Sequence, residues 1–301
     1  LWSLFAFLNP GLLGSEKAFA QKYGIPIRDG DQLVLQQLRK VVSPFILRRQ
    51  KKQVLKELPP KTEINHLISM PEEERAYYEA TRRVALEKVQ KGNDNLQSGQ
   101  RHFQILAELT RLRRLCCHPS LVSDTSRLPG AKLQAFKEIV TDLLENEHRV
   151  LVFSQFVSFL QIVRNWVQQK RFTYQYLDGS TPTKKRALAV QAFQQGEGDL
   201  FLISLKAGGV GLNLTGADYV IILDPWWNPA VEDQAADRAH RIGQSKSVTV
   251  YRLILEDTIE ERIVQLHQDK KELADSILMD TEHSSKVTTE ELLNILQDTG
   301  G

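Results

Sequence analysis

The first 128 residues carry a helical pattern of apolar and polar positions. Over residues 31–42, 72–91 and 101–117, apolar side chains recur three and four positions apart, which predicts amphipathic helices. Prolines separate these segments, because proline is excluded from helix interiors. The polar stretch GNDNLQSGQ at 92–100 predicts a loop between the second and third helices.

From about residue 129, short apolar runs alternate with amphipathic helices. The runs predict five strands, at 149–154, 173–178, 199–204, 218–224 and 248–255. The helical patterns among and after them lie at 156–169, 182–195, 229–241 and 257–279. Strands that are apolar throughout are buried on both faces, as in a parallel sheet covered by helices. We therefore predict an α/β fold, an open parallel sheet flanked by helices and preceded by a helical region, with ligands beyond the carboxyl ends of the strands.

Composition narrows the class of protein only in part. Hydrophobic residues make up 42% of the chain and charged residues 25%, which is typical of globular proteins. No apolar run reaches the roughly 18 residues of a membrane span, so no membrane partner is predicted. Lys and Arg number 39 against 37 Asp and Glu, so net charge does not indicate nucleic acid binding. The adjacent Cys116 and Cys117 favour a reduced, intracellular protein, and with His118 they are too few to predict a metal site.

The chain lacks the sequence elements that grip a triphosphate. A phosphate-binding loop of the form GxxxxGK[ST] does not occur in the 301 residues. An acidic pair after an apolar strand is also missing, because Asp224 ends the run 218–224 but is followed by Pro225. We therefore expect that these residues do not form a complete ATP-hydrolysing site by themselves.

Two arginines in QAADRAHRIGQ (234–244) are candidates for phosphate binding. Arg238 and Arg241 are three positions apart on a predicted helix, so both side chains should leave the same face. Guanidinium groups suit phosphate because they are planar, permanently charged and bidentate. They could reach a γ-phosphate held by another lobe, as an arginine finger does. The alternative is a solvated helix face on which they pair with neighbouring carboxylates.

The same segment resembles motif VI of the Swi/Snf-type ATPases, the chromatin-remodelling branch of the superfamily 2 helicases. Other blocks resemble family segments in the correct order, from the one after motif III to motif V and its extension: 1–15, 43–63, 109–121, 149–156, 176–182 and 203–230. The resemblance covers nearly the whole chain and is weakest at 85–100 and beyond 284.

The resemblance implies the second RecA-like lobe of such an ATPase. Residues 1–70 would hold the end of lobe 1 and the linker, 71–128 a helical protrusion, 129–283 the second RecA-like lobe, and 284–301 a tail. The chain would then be a fragment that begins just past motif III. The N-terminal RecA-like lobe of the same protein would be a partner, and it would carry the phosphate-binding motifs.

The resemblance also implies an ATP site. The cofactors would be ATP and Mg²⁺, held mainly by the N-terminal lobe. The residues that this chain would contribute are the fingers Arg238 and Arg241, together with Gln234, Gly209 and Gly211. In the family, the glycine-rich turn 206–217 faces both nucleotide and nucleic acid; a tight turn without a ligand is the alternative. We interpret Gly243 as a helix C-cap.

Contacts to DNA should go mainly to phosphates, because a translocating motor must not depend on sequence. The candidates at strand ends and at the start of the next helix are Ser154, Gln155, Ser180, Thr181, Ser204, Lys206, Lys184 and Lys185. For the two lysines of the helix, a solvated surface is the alternative. By resemblance, Trp227 meets the DNA minor groove or backbone, with Asn228 beside it, whereas Trp226 packs in the core. For the cluster Arg48, Arg49, Lys51 and Lys52, a structural role and DNA contact both stay open.

The expected function is that of the second lobe of an ATP-dependent translocase on double-stranded DNA. One alternative is a lobe of a strand-separating helicase, whose motif VI usually reads HRxGRxxR; Gln244 in RAHRIGQ favours the translocase. Another is a stand-alone, non-catalytic DNA-binding module. The location would be the cytoplasm or nucleoid in a prokaryote and the nucleus in a eukaryote. The substrate could be a nucleosome, a DNA-bound polymerase or bare DNA.

Overall fold

The computed structural model describes residues 1–46, 58–91, 98–208, 212–266, 268 and 289–297. The chain forms two compact units. Residues 1–46 and 268 belong to the first, and 58–266 and 289–297 belong to the second. No helix within the described ranges combines the length and apolar character needed to cross a bilayer.

The first unit is helical. Its elements are α1 (Trp2–Leu8), α2 (Glu16–Phe19), a π-helical turn (Ala20–Gly24), α3 (Ile25–Arg28), α4 (Gln32–Val42) and a 3-10 turn (Ser43–Phe45). The Asp31 carboxylate caps α4 by accepting hydrogen bonds from the N–H groups of Leu33 and Val34, at 2.9 and 3.1 Å. Leu38 and Val42 of α4 pack with Phe5 in a small apolar core. The helix predicted at 31–42 is therefore confirmed.

The second unit is built on six parallel strands. They are β1 (Lys61–Ile68), β2 (Val150–Ser154), β3 (Tyr174–Leu177), β4 (Leu200–Ser204), β5 (Tyr219–Ile222) and β6 (Val248–Leu255). Their order in the sheet is β1-β6-β5-β2-β4-β3, and every neighbouring pair is parallel. The predicted α/β fold with a parallel sheet and a preceding helical region is confirmed.

The edge strand β1 was not among the five predicted strands. It pairs with β6 along its whole length, from Lys61 beside Val248 to Ile68 beside Leu255. Its sequence KTEINHLI mixes polar and apolar residues, and only Ile68 is fully buried, because an edge strand keeps much of its surface in water. Continuous apolar runs therefore revealed the central strands but not this one.

Helices cover both faces of the sheet. The second unit contains α5 (Glu72–Lys91), α6 (Ser98–Cys117), α7 (Ala131–Glu145), α8 (Val157–Gln169), α9 (Thr183–Gln194), α10 (Leu205–Gly208), α11 (Pro229–Ala236), α12 (259–266) and α13 (Thr289–Gln297). The helix predicted at 229–241 is shorter, since α11 ends at Ala236. Residues 259–266 are the described helical part of the pattern at 257–279.

Alternate residues of each strand enter two separate apolar cores. Val150 and Val152 of β2 point to a first face, which packs against residues of α5, α6, α7, α8 and α13. Leu151 and Phe153 point to a second face, which packs against residues of α9 and α11. The period-two alternation of a strand thus explains why its apolar run is continuous. The carboxyl ends of β2, β4 and β5 meet between the two cores.

Candidate functional site

The centre of the carboxyl edge is a buried polar group around Asp224, which follows β5. Its carboxylate accepts a hydrogen bond from the hydroxyl of Ser154 and another from the N–H of Gln155, at 3.2 Å. Asp224 has no exposed surface. Burial raises the pKa of Asp224 to about 6, although the charge of Arg113 and the Ser154 hydrogen bond act to lower it. Its hydrogen bonds are directed into the protein, so Asp224 is not placed to bind a metal.

Arg113 of α6 reaches this buried group from the first face. Its Nη2 donates to the side-chain oxygen of Gln155 at 2.7 Å and to the carbonyl of Pro225 at 2.8 Å. The same nitrogen lies 3.8 Å from a carboxylate oxygen of Asp224. Only 2% of Arg113 is exposed. Arg113 was not among the predicted site residues, because nothing in LTRLRRLCCHPSL distinguishes it from Arg114.

Two of the predicted DNA contacts lie inside the protein. Ser154 is fully buried and Ser204 is 2% exposed. The Ser204 hydroxyl oxygen accepts a hydrogen bond from the N–H of Ala207 at 3.3 Å. Both hydroxyls therefore shape the carboxyl edge from within, and neither lies on a surface that could meet DNA. Gln155 is half-buried and engaged with Arg113.

The tryptophan pair follows Asp224 and spans the two faces of the sheet. Trp226 packs against the second core and Trp227 against the first, and both are half-buried. The backbone N–H of Trp226 donates to the buried carboxylate of Glu232 at 2.7 Å. Asn228, a predicted DNA contact, caps α11 by accepting from the N–H of Ala230 at 3.1 Å. The loop is thus held at both ends by hydrogen bonds, while part of each tryptophan side chain stays exposed to solvent.

After β3, a turn around Asp178 holds the predicted contacts Ser180 and Thr181. One carboxylate oxygen of Asp178 accepts from the N–H and the hydroxyl of Ser180, at 2.9 and 2.6 Å, and from the hydroxyl of Thr181 at 3.2 Å. Arg186 locks the turn by donating to the carbonyls of Asp178 and Thr181, at 2.9 and 2.8 Å. Ser180 remains exposed at the tip.

Three lysines named as DNA contacts are exposed. Lys184 and Lys185 lie in the first turn of α9, immediately after the Asp178 turn, and Lys206 lies in α10 after β4. Because β3 and β4 are neighbours in the sheet, these cations belong to one end of it. Their exposure leaves them able to meet an external anion.

The two motif VI arginines occupy different environments. They follow α11 in an irregular turn, so the prediction that both leave one helix face is wrong. Arg238 is 6% exposed, whereas Arg241 is exposed to solvent. The Nε of Arg238 is buried and has no hydrogen-bond partner among the described residues. Burial, and then the positive charge of Arg241, lower the pKa of Arg238, whereas the charge of Asp237 acts to raise it. The turn thus brings together two guanidinium groups, the type of group that suits an anion such as phosphate.

Gln244 joins the motif VI turn to the segment before β5. Its side-chain amide donates to the carbonyls of Thr215, Ala217 and Ala239, at 3.1, 2.8 and 3.0 Å. The backbone N–H of Leu214 donates a further hydrogen bond of 3.0 Å to the carbonyl of Arg238, which also connects the two segments. In the sequence, Gln244 was noted only because it stands where the motif VI of strand-separating helicases continues differently. Its amide nitrogen thus joins segments that are separate in sequence.

Gly243 does not act as a helix C-cap, because α11 ends at Ala236. Its positive φ of 99° closes the turn in which the Gln244 N–H bonds to the carbonyl of Arg241 at 2.9 Å. Gln234 lies exposed on α11. Gly209 and Gly211, and the basic cluster Arg48, Arg49, Lys51 and Lys52, lie outside the described residues.

An ion-pair network lies next to the tryptophan loop, because Glu232, which accepts from the backbone of Trp226, also pairs with Arg252. Arg252 of β6 donates to Glu232 at 2.8 Å and to Glu63 of β1 at 2.9 Å. Burial raises the pKa of Glu232 to about 6, against the charge of Arg252. Burial also acts to raise the pKa of Glu63, but hydrogen bonding to Lys61 and the charge of Arg252 hold it at about 2. The edge strand is thereby tied to α11, the helix that leads into the turn of the motif VI arginines.

Comparison with known proteins matches this architecture to one family. The SNF2-related domain matches residues 1–121, and the helicase conserved C-terminal domain matches residues 131–243. The solved C-terminal domain of the Sulfolobus solfataricus SWI2/SNF2 ATPase is 30% identical, with a TM-score of 0.62, and the match covers 79% of this chain and 98% of that domain. The chain belongs to the Swi/Snf family of ATPases.

Other similar proteins are longer than this Swi/Snf chain. The Sulfolobus solfataricus SWI2/SNF2 ATPase core in complex with double-stranded DNA is 33% identical, with a TM-score of 0.64, over 100% of this chain and 64% of that one. A putative ATP-dependent helicase/translocase of Bacillus subtilis is 37% identical over 97% of this chain. The chain spans 28% to 32% of the length of the bacterial relatives it matches.

Proposed function

We propose that this Swi/Snf chain provides the second RecA-like lobe of an ATP-dependent motor that moves along double-stranded DNA. The observation that carries the proposal is the arginine pair. Arg238 and Arg241 bring two guanidinium groups to one turn, and the Nε of Arg238 has no hydrogen-bond partner among the described residues. The 301 residues contain no phosphate-binding loop with which to hold a triphosphate. Guanidinium groups are what an arginine-finger lobe contributes to a phosphate site shared with another lobe.

The roles of the two arginines in this mechanism follow from their exposure. Arg241, at the solvent side, is the residue that approaches the γ-phosphate. Arg238, which is 6% exposed, adds a second positive charge behind it. ATP supplies the phosphoanhydride bond whose hydrolysis drives the motor. Gln234, Gly209 and Gly211 contribute to the same site in the proposal.

We assign the Mg²⁺ ligands to the N-terminal lobe of the motor. Asp224 is the acidic residue nearest to the centre of the carboxyl edge, and its oxygens accept hydrogen bonds from Ser154 and Gln155 while facing Arg113. A magnesium ion prefers oxygen ligands that are free to form an octahedral shell. The carboxylate of Asp224 does not offer such a ligand.

The DNA surface in this proposal combines exposed cations with one indole ring. Lys184, Lys185 and Lys206 neutralise backbone phosphates, and the Ser180 and Thr181 turn offers hydrogen bonds to them. Trp227, half-buried against the first core, adds its partly exposed indole ring to this surface in the proposal. The solved complex of the Sulfolobus core with double-stranded DNA supports this choice of ligand. The buried Ser154 and Ser204 are left out of the surface.

The decisive experiment compares activators of the native full-length protein. We expect duplex DNA to stimulate ATP hydrolysis more than single-stranded DNA of the same length, and we expect no displacement of a paired strand. Preferential stimulation by single strands, with strand displacement, would assign the lobe to a helicase instead. The isolated 301-residue chain should show no DNA-stimulated turnover, and turnover by that chain would contradict a site shared between two lobes.

Salt dependence gives an independent check of the phosphate contacts. Each phosphate neutralised by a lysine releases counterions, so the logarithm of the binding constant falls with the logarithm of salt concentration by about 0.9 per contact on duplex DNA. K184Q, K185Q and K206Q should each weaken binding and lower this slope by about one contact. K170Q, at an exposed lysine after α8, is the matched control and should leave the slope unchanged.

A further inference from the structure

Arg113 lies where the helix α6 meets the tryptophan loop. Besides facing the carboxylate of Asp224, it contacts three aromatic rings. The guanidinium carbon is 5.1 Å from the ring centre of Trp226 and 5.4 Å from that of Trp227. It is also 5.2 Å from the ring centre of Phe156. Three aromatic rings thus surround one cation, and each distance is within the range of a cation–π interaction.

The polar contacts of Arg113 explain why the rings have fixed positions. Nη2 is bonded to the carbonyl of Pro225, the residue that directly precedes the tryptophan pair, and to the side chain of Gln155. The planar guanidinium can make these bonds while its faces remain available to the indoles. A lysine has a compact charge without a planar face. It could therefore balance the charge of Asp224, but it could not make these hydrogen bonds and also stack on the indole rings.

The two tryptophans pack on opposite faces of the sheet and are only half-buried. Apolar packing therefore covers each ring only in part. Arg113 is the described residue whose charged group faces both rings at once, and it is 2% exposed. Its position is set by α6, through the buried neighbours Leu112 and Leu115. The orientation of the indoles is thus linked to the helical region that precedes the lobe.

We propose that Arg113 is a positioning residue that holds Trp227 in the orientation in which it meets DNA. The proposal rests on the proposed function, since it concerns the same DNA surface. Arg113 itself does not touch DNA. It acts through the indole ring and through the carbonyl of Pro225.

The test uses the native full-length protein with Trp2 and Trp166 replaced by phenylalanine, so that within this chain only the loop tryptophans fluoresce. Any tryptophan elsewhere in the full-length protein is replaced in the same way. In R113K we expect a red-shifted emission and stronger quenching by acrylamide. We also expect the duplex DNA concentration for half-maximal ATPase stimulation to rise about tenfold, while turnover at saturating DNA and the KM for ATP stay unchanged. R114K, the same change at the exposed neighbour on α6, is the matched control.

A double-mutant cycle separates positioning from general support of the fold. W227A should raise the half-stimulating DNA concentration, and R113K/W227A should raise it no further than W227A does. If R113K weakens DNA stimulation equally with and without Trp227, the inference is overturned. F156L, which removes one of the three rings but keeps the buried charge, should shift emission and DNA dependence in the same direction, and it serves if R113K fails to fold.

The outcomes distinguish this inference from the proposed function. If duplex DNA stimulates the wild type but R113K matches R114K in emission and DNA dependence, the positioning role is wrong and the motor stands. If duplex DNA does not stimulate the wild type, the proposed function fails and the positioning role fails with it.

Discussion

The side-chain amide of Gln244 donates a 2.8 Å hydrogen bond to the backbone carbonyl of Ala217. The same amide reaches Thr215 and Ala239, so one side chain spans the segment before β5 and the turn that carries the arginines. Only 8% of Gln244 is exposed. Displacement of either segment would leave buried carbonyl groups without partners, which couples the two segments in position.

We expect Q244A to lower the free energy of unfolding by about 1–3 kcal/mol, because two buried carbonyl groups and one partly buried carbonyl group lose a donor. In the full-length protein it should also reduce ATP turnover, since the arginine turn loses its anchor. Denaturant unfolding and a steady-state ATPase assay measure the two effects. Q191A, at an exposed glutamine on α9, is the control. A Q244A protein as stable as Q191A would show that the amide does not hold these segments.

Substitution of the two arginines should have separable effects. R241A should reduce ATP turnover of the full-length protein by about 10³-fold or more, the scale of losing an arginine finger, with a much smaller effect on nucleotide affinity. Its melting temperature should match the wild type, because Arg241 is exposed. R238A should lower both turnover and melting temperature, because Arg238 is buried. R114A, at an exposed arginine of α6, should change neither quantity. Full turnover by R241A would remove it from the mechanism.

The buried pair Lys132–Glu260 should be strongly coupled. Lys132 Nζ lies 2.5 and 2.6 Å from the two carboxylate oxygens, and both side chains are at most 1% exposed. K132M should cost about 3–5 kcal/mol of stability, because it leaves an unpaired buried carboxylate. K132M/E260M should recover much of that loss. K170M, on the surface, should change stability by about 0.5 kcal/mol at most. Additive losses in the double variant would contradict the coupling.

The raised pKa of Glu232 should make the stability of the protein depend on pH. Its folded pKa of about 6 is above the usual 4.5, so between these values the folded state binds more protons than the unfolded state. The unfolding free energy of the wild type relative to E232Q should therefore fall as pH rises from 4.5 to 6, by up to about 2 kcal/mol. Denaturant titrations at several pH values measure this difference. A constant difference across that range would contradict the raised pKa.

Glu63 offers a control of opposite sign. Its folded pKa of about 2 is below the usual 4.5, so the stability it contributes is present above pH 4.5 and is lost as pH falls towards 2. The wild type relative to E63Q should therefore lose stability with acid, whereas relative to E232Q it gains stability as pH falls from 6 to 4.5. Parallel trends in the two variants would show that a general acid effect, and not these carboxylates, controls stability.

Local pattern was enough to predict the central fold. The runs at 149–154, 199–204 and 218–224 are apolar on both faces of the strand. This pattern can be recognised without knowing which strand pairs with which. The edge strand β1 was missed because half of its residues face water, so its partner β6 was needed to define it. The end of α11 at Ala236 was also missed, because the apolar spacing continues into a turn that Gly243 closes.

The sequence by itself determined five of the six strands and their alternation with helices along the chain, the Swi/Snf family and the presence of two arginines in motif VI, because these depend on residues close together in the chain. Only the tertiary structure decided which side chains are buried at the carboxyl edge. Ser154 and Asp224 are 70 positions apart, and Arg113 is more than 100 positions from the tryptophans. Such contacts depend on how strands and helices pack together, so no local pattern distinguishes an inward serine from one that faces DNA.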